Sequence, residues 1–252
     1  MKQLIKSIGV CLGVYLALQI TIGIIAQIAV ICIEDVNEIN KYIYTISFIG
    51  QFVTLNLIDL LNEKEKVFNK NIFKIISLRN VMYISLFGVG CSIVLPKFAQ
   101  LLTKVMNIEN HLEPMSLSFL EMIIVIILIP ICEEIIFRHV IFGYLKKNHN
   151  IVFAVILQAL FFGLWHGNIE QMICAFIVGI FLGLIYMRYN SLLGNITLHI
   201  VFNLMGILII PMIENISSNL DYIIILLGIL FFVFPLLKIM TRHEECLNSK
   251  SR

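Results

Sequence analysis

The chain has 252 residues, of which 60% are hydrophobic and only 13% charged, and its mean hydropathy is +0.96. Soluble domains run at roughly 45–50% apolar and about 25% charged residues, so this composition predicts an all-α, polytopic membrane protein and excludes disordered, collagenous and nucleic-acid-binding chains. The net charge of +2 says little alone, because in a bilayer protein the placement of charges outweighs their sum.

A spanning helix needs about 20 mostly apolar residues. Such runs occur near 7–33, 42–62, 80–102, 116–145, 151–166, 169–187, 192–213 and 221–240, which predicts about eight transmembrane helices in a single membrane domain over 1–252. Lys2 and Lys6 precede the first run as they would in a signal peptide, but the run is about twice a usual signal core and no small-residue cleavage pattern follows. It is read as a retained helix. The segment 103–115 reads as a loop or surface helix. Asn62 to Lys74 is the longest polar stretch and reads as a solvated loop.

Basic residues in short loops set orientation. With the N-terminus inside, that side receives Lys2, Lys6, Lys64, Lys66, Lys70, Lys74, Arg79, Lys146, Lys147, Arg188, Lys238, Arg242, Lys250 and Arg252, fourteen of the eighteen Lys and Arg residues. The other side receives Lys41, Lys97 and Lys104 beside Glu34, Asp35, Glu38, Glu109, Glu113, Glu214 and Asp221. Both ends are therefore expected inside. Glu121 and Glu170 are expected at or near the outer interface, and Trp165 reads as an interfacial or packing residue. Cys11, Cys32, Cys91, Cys132, Cys174 and Cys246 show no close pairing or ligand spacing and read as small hydrophobic residues. Gly179 and Gly183 form a G-x-x-x-G in the sixth run, which permits close helix approach within the monomer.

The fourth run, EMIIVIILIPICEEIIFRHVIFGYL, places Glu133, Glu134 and Arg138 within six residues of an apolar helix. Each such charge at a helix centre costs about 2.5–3.5 kcal/mol on insertion scales, so three call for a reason. Glu134 and Arg138 stand at i and i+4 with the acid first, the favourable order for an ion pair on one face. Glu133 points about 100° away, which leaves its carboxylate for chemistry. Two further pairs follow at i, i+4: Phe162 with His166 in FFGLWHG, and His199 with Asn203 in LHIVFN. A carboxylate, two imidazoles and an amide from three helices are the parts needed to activate water and stabilise an oxyanion.

These three ordered motifs, E-E-x-x-x-R, F-x-x-x-H and H-x-x-x-N, resemble those of the CPBP family of intramembrane proteases, also called the ABI or type II CAAX prenyl protease family. The resemblance covers about residues 115–213. It implies an intramembrane endopeptidase in which Glu133, with His166, positions and deprotonates a water, His199 and Asn203 donate to the tetrahedral oxyanion, and Glu134 and Arg138 hold the site together. Its substrate would be a membrane-associated protein or peptide, including a prenylated CAAX protein. The membrane would be the cell membrane in a bacterium and the endoplasmic reticulum in a eukaryote. Glu133, His166 and His199 could instead supply three ligands to zinc with an open water position, but the H-E-x-x-H helix is absent. A glutamate-activated water with no required cofactor is the favoured reading.

Two other readings stand beside it: a non-proteolytic membrane scaffold or bacteriocin-immunity-type protein of the same fold, and a proton relay or transporter. The latter would call for inverted repeats, and none is visible. At ~1.5 Å per residue, Glu133 lies about 18 Å from Lys146, His166 about 24 Å from Asn150 and His199 about 12 Å from Ser191. Straight vertical helices would not bring these three together, so the sequence calls for tilted or uneven helices around a water-accessible cavity, with its side of opening left undecided.

Overall fold

The computed structural model describes residues 2–33, 35–62, 66–68, 70–108, 117–216 and 221–248, and these contain no strand. Glu34, Lys64, Glu109, Glu113, Lys250 and Arg252 lie outside the described residues, as do positions 115 and 116 of the motif-bearing core. The side chains of Lys70, Glu214, Asp221, Arg242 and Cys246 also lie outside them.

Eight long helical rods and one short helix make up the described chain. They are α1 (Lys2–Ile33), the short α2 (Val36–Asn40), α3 (Ile43–Leu61), α4 (Leu78–Val105), α5 (119–148), α6 (Ile151–Leu164), α7 (Ile169–Tyr189), α8 (192–216) and α9 (Asp221–Asn248). Among the described residues, six helices are long and apolar enough to cross a membrane: α1, α3, α4, α7, Leu192–Ile213 and Tyr222–Thr241. The chain is an integral, multi-pass membrane protein. Of the predicted segment 103–115, α4 claims the start, ending at Val105.

Local sequence explains where helices begin and end. Ser77, Ser118, Asn150, Asn168 and Ser191 each stand just before a helix, and each side-chain oxygen accepts a backbone N–H of the first turn, satisfying donors that a helix start leaves orphaned. Asn190 closes α7 in the left-handed region at φ 45°, a conformation asparagine tolerates better than most residues. Two rods are not plain α-helices. In α5, π turns over Ile124–Leu128 and Ile135–Phe142 flank the α-helical Ile129–Glu134. Pro130 lies at the start of that middle segment. Proline lacks an N–H and crowds the preceding turn, and a widened turn accommodates it. In α8, Leu204–Ile209 is likewise π.

Small residues let the rods touch. A Cβ on Gly179 would stand 3.1 Å from the Cα of Ala159, and one on Gly183 would stand 2.9 Å from the Gln158 amide. The G-x-x-x-G thus seats α7 on α6 within the monomer, sealed by the Gln158 amide donating to the Gly179 carbonyl at 2.7 Å. Gly90 brings α4 against α9 so closely that a Cβ would lie 2.3 Å from the Phe232 backbone nitrogen. Among the described cysteines none is bridged, and Cys11, Cys91, Cys132 and Cys174 are buried while Cys32 is exposed.

Polar contacts between rods define two poles. At one, the Gln3 amide donates to Asn148 (2.8 Å), His149 bonds Ser7 (2.8 Å) and Ser191 donates to the Lys74 carbonyl (2.5 Å). At the other, Glu121 accepts the Tyr44 N–H at 2.9 Å and the Thr45 hydroxyl, and Thr103 donates to Glu170 at 3.0 Å. Glu121 lies at this pole with its side chain buried at 1% exposure, where it serves as acceptor for the orphaned N–H groups at the start of α3. α6 is the short rod. Its 14 residues rise only about 21 Å, and Tyr15 of α1 donates to its last carbonyl, that of Leu164, at 3.3 Å.

Candidate active site

The short α6 leaves space beyond its end, and a cavity of about 550 Å³ occupies it. Glu133 of α5, Phe162 and His166 at the end of α6, and His199 and Asn203 of α8 all line this cavity. The three predicted motifs therefore converge on one space, as the uneven helix lengths allow. Glu134 and Arg138 lie behind it, both fully buried.

Glu134 is the hub of the buried layer. Its Oε2 lies 3.1 Å from Arg138 Nε and accepts from the Asn195 amide at 3.2 Å. Its Oε1 lies 2.8 Å from His199 Nδ1. The i, i+4 ion pair expected from the sequence is thus present, and the same carboxylate also orients the imidazole on α8. Arg138 sits over the Phe162 ring, its guanidinium carbon 4.1 Å from the centroid. Phe162 also packs edge-on against both His166 (5.1 Å) and His199 (5.7 Å). One aromatic ring therefore fixes the spacing of three polar side chains, which explains why the motif needs a phenylalanine and not merely a histidine.

Glu133 turns the other way, as its 100° offset requires. It is 5% exposed. Oε1 accepts the Trp165 indole N–H at 3.0 Å, and Oε2 lies 3.7 Å from His199 Nε2, too long for a direct hydrogen bond. His199 thus stands between the two glutamates, bonded to Glu134 through Nδ1 and facing Glu133 with Nε2. His166 Nδ1 bonds the Phe162 carbonyl at 2.9 Å; donation to that acceptor places the proton on Nδ1 and leaves Nε2 as a lone-pair base. Asn203 donates to the Val125 carbonyl at 3.0 Å, within the first π turn of α5.

Two contributors escaped the sequence reading. Trp165 does pack, against Tyr15 and Phe137, but its N–H is also a hydrogen-bond donor to Glu133. Its place directly before His166 was the available signal. Asn195 is fully buried and bridges Glu134 to the Leu182 carbonyl, 2.7 Å away. It lies four residues before His199 as Asn203 lies four after, so a polar stripe of three was legible on α8.

The donor set bears on a metal. Among the described residues no group of three or more His, Cys, Asp or Glu side chains is placed to hold a metal ion. His166 Nδ1 and His199 Nδ1 bond Phe162 and Glu134, a pattern that leaves the Nε2 atom of each ring for other partners.

Residues 115–205 match the family described as type II CAAX prenyl endopeptidase Rce1-like. A similar curated protein is "Putative membrane peptidase YdiL" of Bacillus subtilis (strain 168), 29% identical over 92 residues. That match covers 36% of this chain and only 37% of the relative. No solved structure matches. The matched segment contains all three motifs, so the part of the chain that carries the candidate site is the part similar to the Rce1-like type II CAAX prenyl endopeptidases.

Proposed function

We propose that the protein is an intramembrane endopeptidase that hydrolyses a peptide bond of a membrane-associated protein or peptide through a water activated by Glu133. The observation that carries this reading is a single one: Glu133 stands at a cavity wall with its carboxylate held by the Trp165 N–H and faced by His199 Nε2.

In this mechanism Glu133 accepts a proton from a water bound beside it, and the resulting hydroxide attacks the substrate carbonyl. The Nε2 lone pair of His166, which lines the same space, accepts from the water's second hydrogen and orients it. His199 Nε2–H donates to the developing oxyanion, and the Glu134 carboxylate at Nδ1 fixes the ring. The Asn203 amide has two N–H groups; one holds the Val125 carbonyl and the other serves the oxyanion. Protonated Glu133 then returns its proton to the leaving amine. Arg138, Asn195 and Glu134 touch no reacting atom and act as positioning residues.

The test is membrane proteomics on cells expressing wild-type protein or Glu133→Gln. A cleavage product present with the former and absent with the latter is expected. An unchanged product set, with the motif variants keeping any cellular phenotype, would instead establish the non-proteolytic scaffold reading. Activity that is lost on chelation and restored by stoichiometric zinc would overturn the metal-free chemistry while leaving the peptidase in place.

A further inference from the structure

Resting on the endopeptidase reading, we propose that the cavity is loaded from the extracytoplasmic face by a neutral or cationic stretch of peptide, and that Glu170 at its mouth takes the substrate's positive charge.

The bundle has two poles of different charge. The contacts Gln3 with Asn148, Ser7 with His149 and Ser191 with Lys74 gather the N-terminus and the 74, 148–149 and 191 segments at one end. Lys146, 5.1 Å over the Tyr186 ring, belongs to that end too. This is the pole with the basic loops, and the charge bias assigns it to the cytoplasm.

The cavity belongs to the opposite pole. Tyr44 and Ser47 line it from the first turns of α3, whereas Pro96 and Gln100 line it from the last third of α4. From α7 it draws residues from Glu170 to Val178, a run that rises about 12 Å. The mouth lies at Gln100, Glu170 and Gln171, where Thr103 ties α4 to α7. Glu133 and His199 form the floor, about the depth of those two turns of α7. The floor therefore communicates with the pole that carries few basic residues.

Charge then selects the substrate. Among the described residues lining this cavity, Glu133 and Glu170 are the charged side chains apart from the two imidazoles. Glu170 is fixed in position: Thr103 donates to its carboxylate, and its backbone N–H donates to the Asn168 side chain at 2.9 Å. Two carboxylates on the path repel a free peptide C-terminus and attract lysine or arginine. A prenylated tail cut three residues from its carboxylate would carry the wrong charge to the wrong face. An acid in the first turn of α7 also suits the helix dipole, so the test reads selectivity and sidedness and not stability.

The experiment has two arms. Gln171→Cys is made with Cys32 and Cys246 replaced by serine, that double serine variant being the background, and is labelled with a charged, membrane-impermeant maleimide in right-side-out and inside-out vesicles. Gln100→Cys serves as a second mouth position and Lys147→Cys as the opposite-pole control. Labelling of the mouth positions at least about tenfold faster in right-side-out vesicles is expected, with Lys147→Cys showing the reverse. Mouth positions that label like Lys147→Cys would overturn the proposal even where cleavage still depends on Glu133. Loss of that dependence with outward labelling retained would sink only the peptidase reading. In the second arm, wild-type protein should cleave a peptide with lysine about four residues from the scissile bond, the ~12 Å from floor to mouth at ~3.3 Å per extended residue, about tenfold faster in kcat/KM than the same peptide with glutamate there, the equivalent of one close charge pair. Glu170→Gln should bring the ratio towards unity; an unchanged ratio would remove Glu170 from substrate recognition.

Discussion

Replacing Arg138 by methionine removes the cation from a fully buried pair while roughly keeping its volume. Glu134 keeps Asn195 at 3.2 Å and His199 at 2.8 Å, but loses the guanidinium at 3.1 Å in a site with no exposure. Breaking a buried ion pair from one side costs about 3–5 kcal/mol, because the surviving charge is left uncompensated. The lost stack on Phe162 adds about 0.5–2 kcal/mol. A net loss of about 3–5 kcal/mol is therefore expected. The double variant Glu134→Gln, Arg138→Met leaves no buried charge and should lose less than the sum of the single changes, with a coupling of about 2 kcal/mol. The assay is a double-mutant cycle on detergent-solubilised protein, read by reversible denaturation. An Arg138→Met loss below about 1 kcal/mol, or additive single effects, would refute the claim that this pair carries the buried layer. Arg138→Lys should not rescue it, since an ammonium lacks the planar face that lies on Phe162.

Other predictions follow from the same geometry. Trp165→Phe keeps an aromatic body but removes the donor to Glu133, so kcat should fall about tenfold, the size of one charge-assisted hydrogen bond, with thermal stability within about 1 kcal/mol of wild type; unchanged kcat would show that the indole only packs. Asn195→Ala should destabilise by about 1–3 kcal/mol through the loss of its hydrogen bonds to Glu134 and to the Leu182 carbonyl, measured by the same denaturation. Gly90→Ala should lose about 2 kcal/mol or more, because its Cβ would meet Phe232 backbone and not a movable side chain, whereas Gly13→Ala, with nothing within 4 Å, should be neutral or slightly stabilising.

The sequence by itself determined the class of the protein and named most residues of the candidate site. Apolar runs of spanning length and basic loops are local properties, so a helical multi-pass bundle was legible run by run, as were the i, i+4 pairs Glu134 with Arg138 and Phe162 with His166. The different fates of the two glutamates followed from helix geometry alone. What only the tertiary structure decided concerns contacts between helices. That Glu134 serves His199 and Asn195 as well as Arg138, that Trp165 donates to Glu133, and that Glu121 is buried under the start of α3 depend on which rods are neighbours and at what height. No periodicity within one helix encodes that height. The same holds for the cavity, which exists because α6 stops at Leu164 while the rods around it continue; depth estimated from straight helices could only demand such unevenness, and the packed bundle shows where it lies.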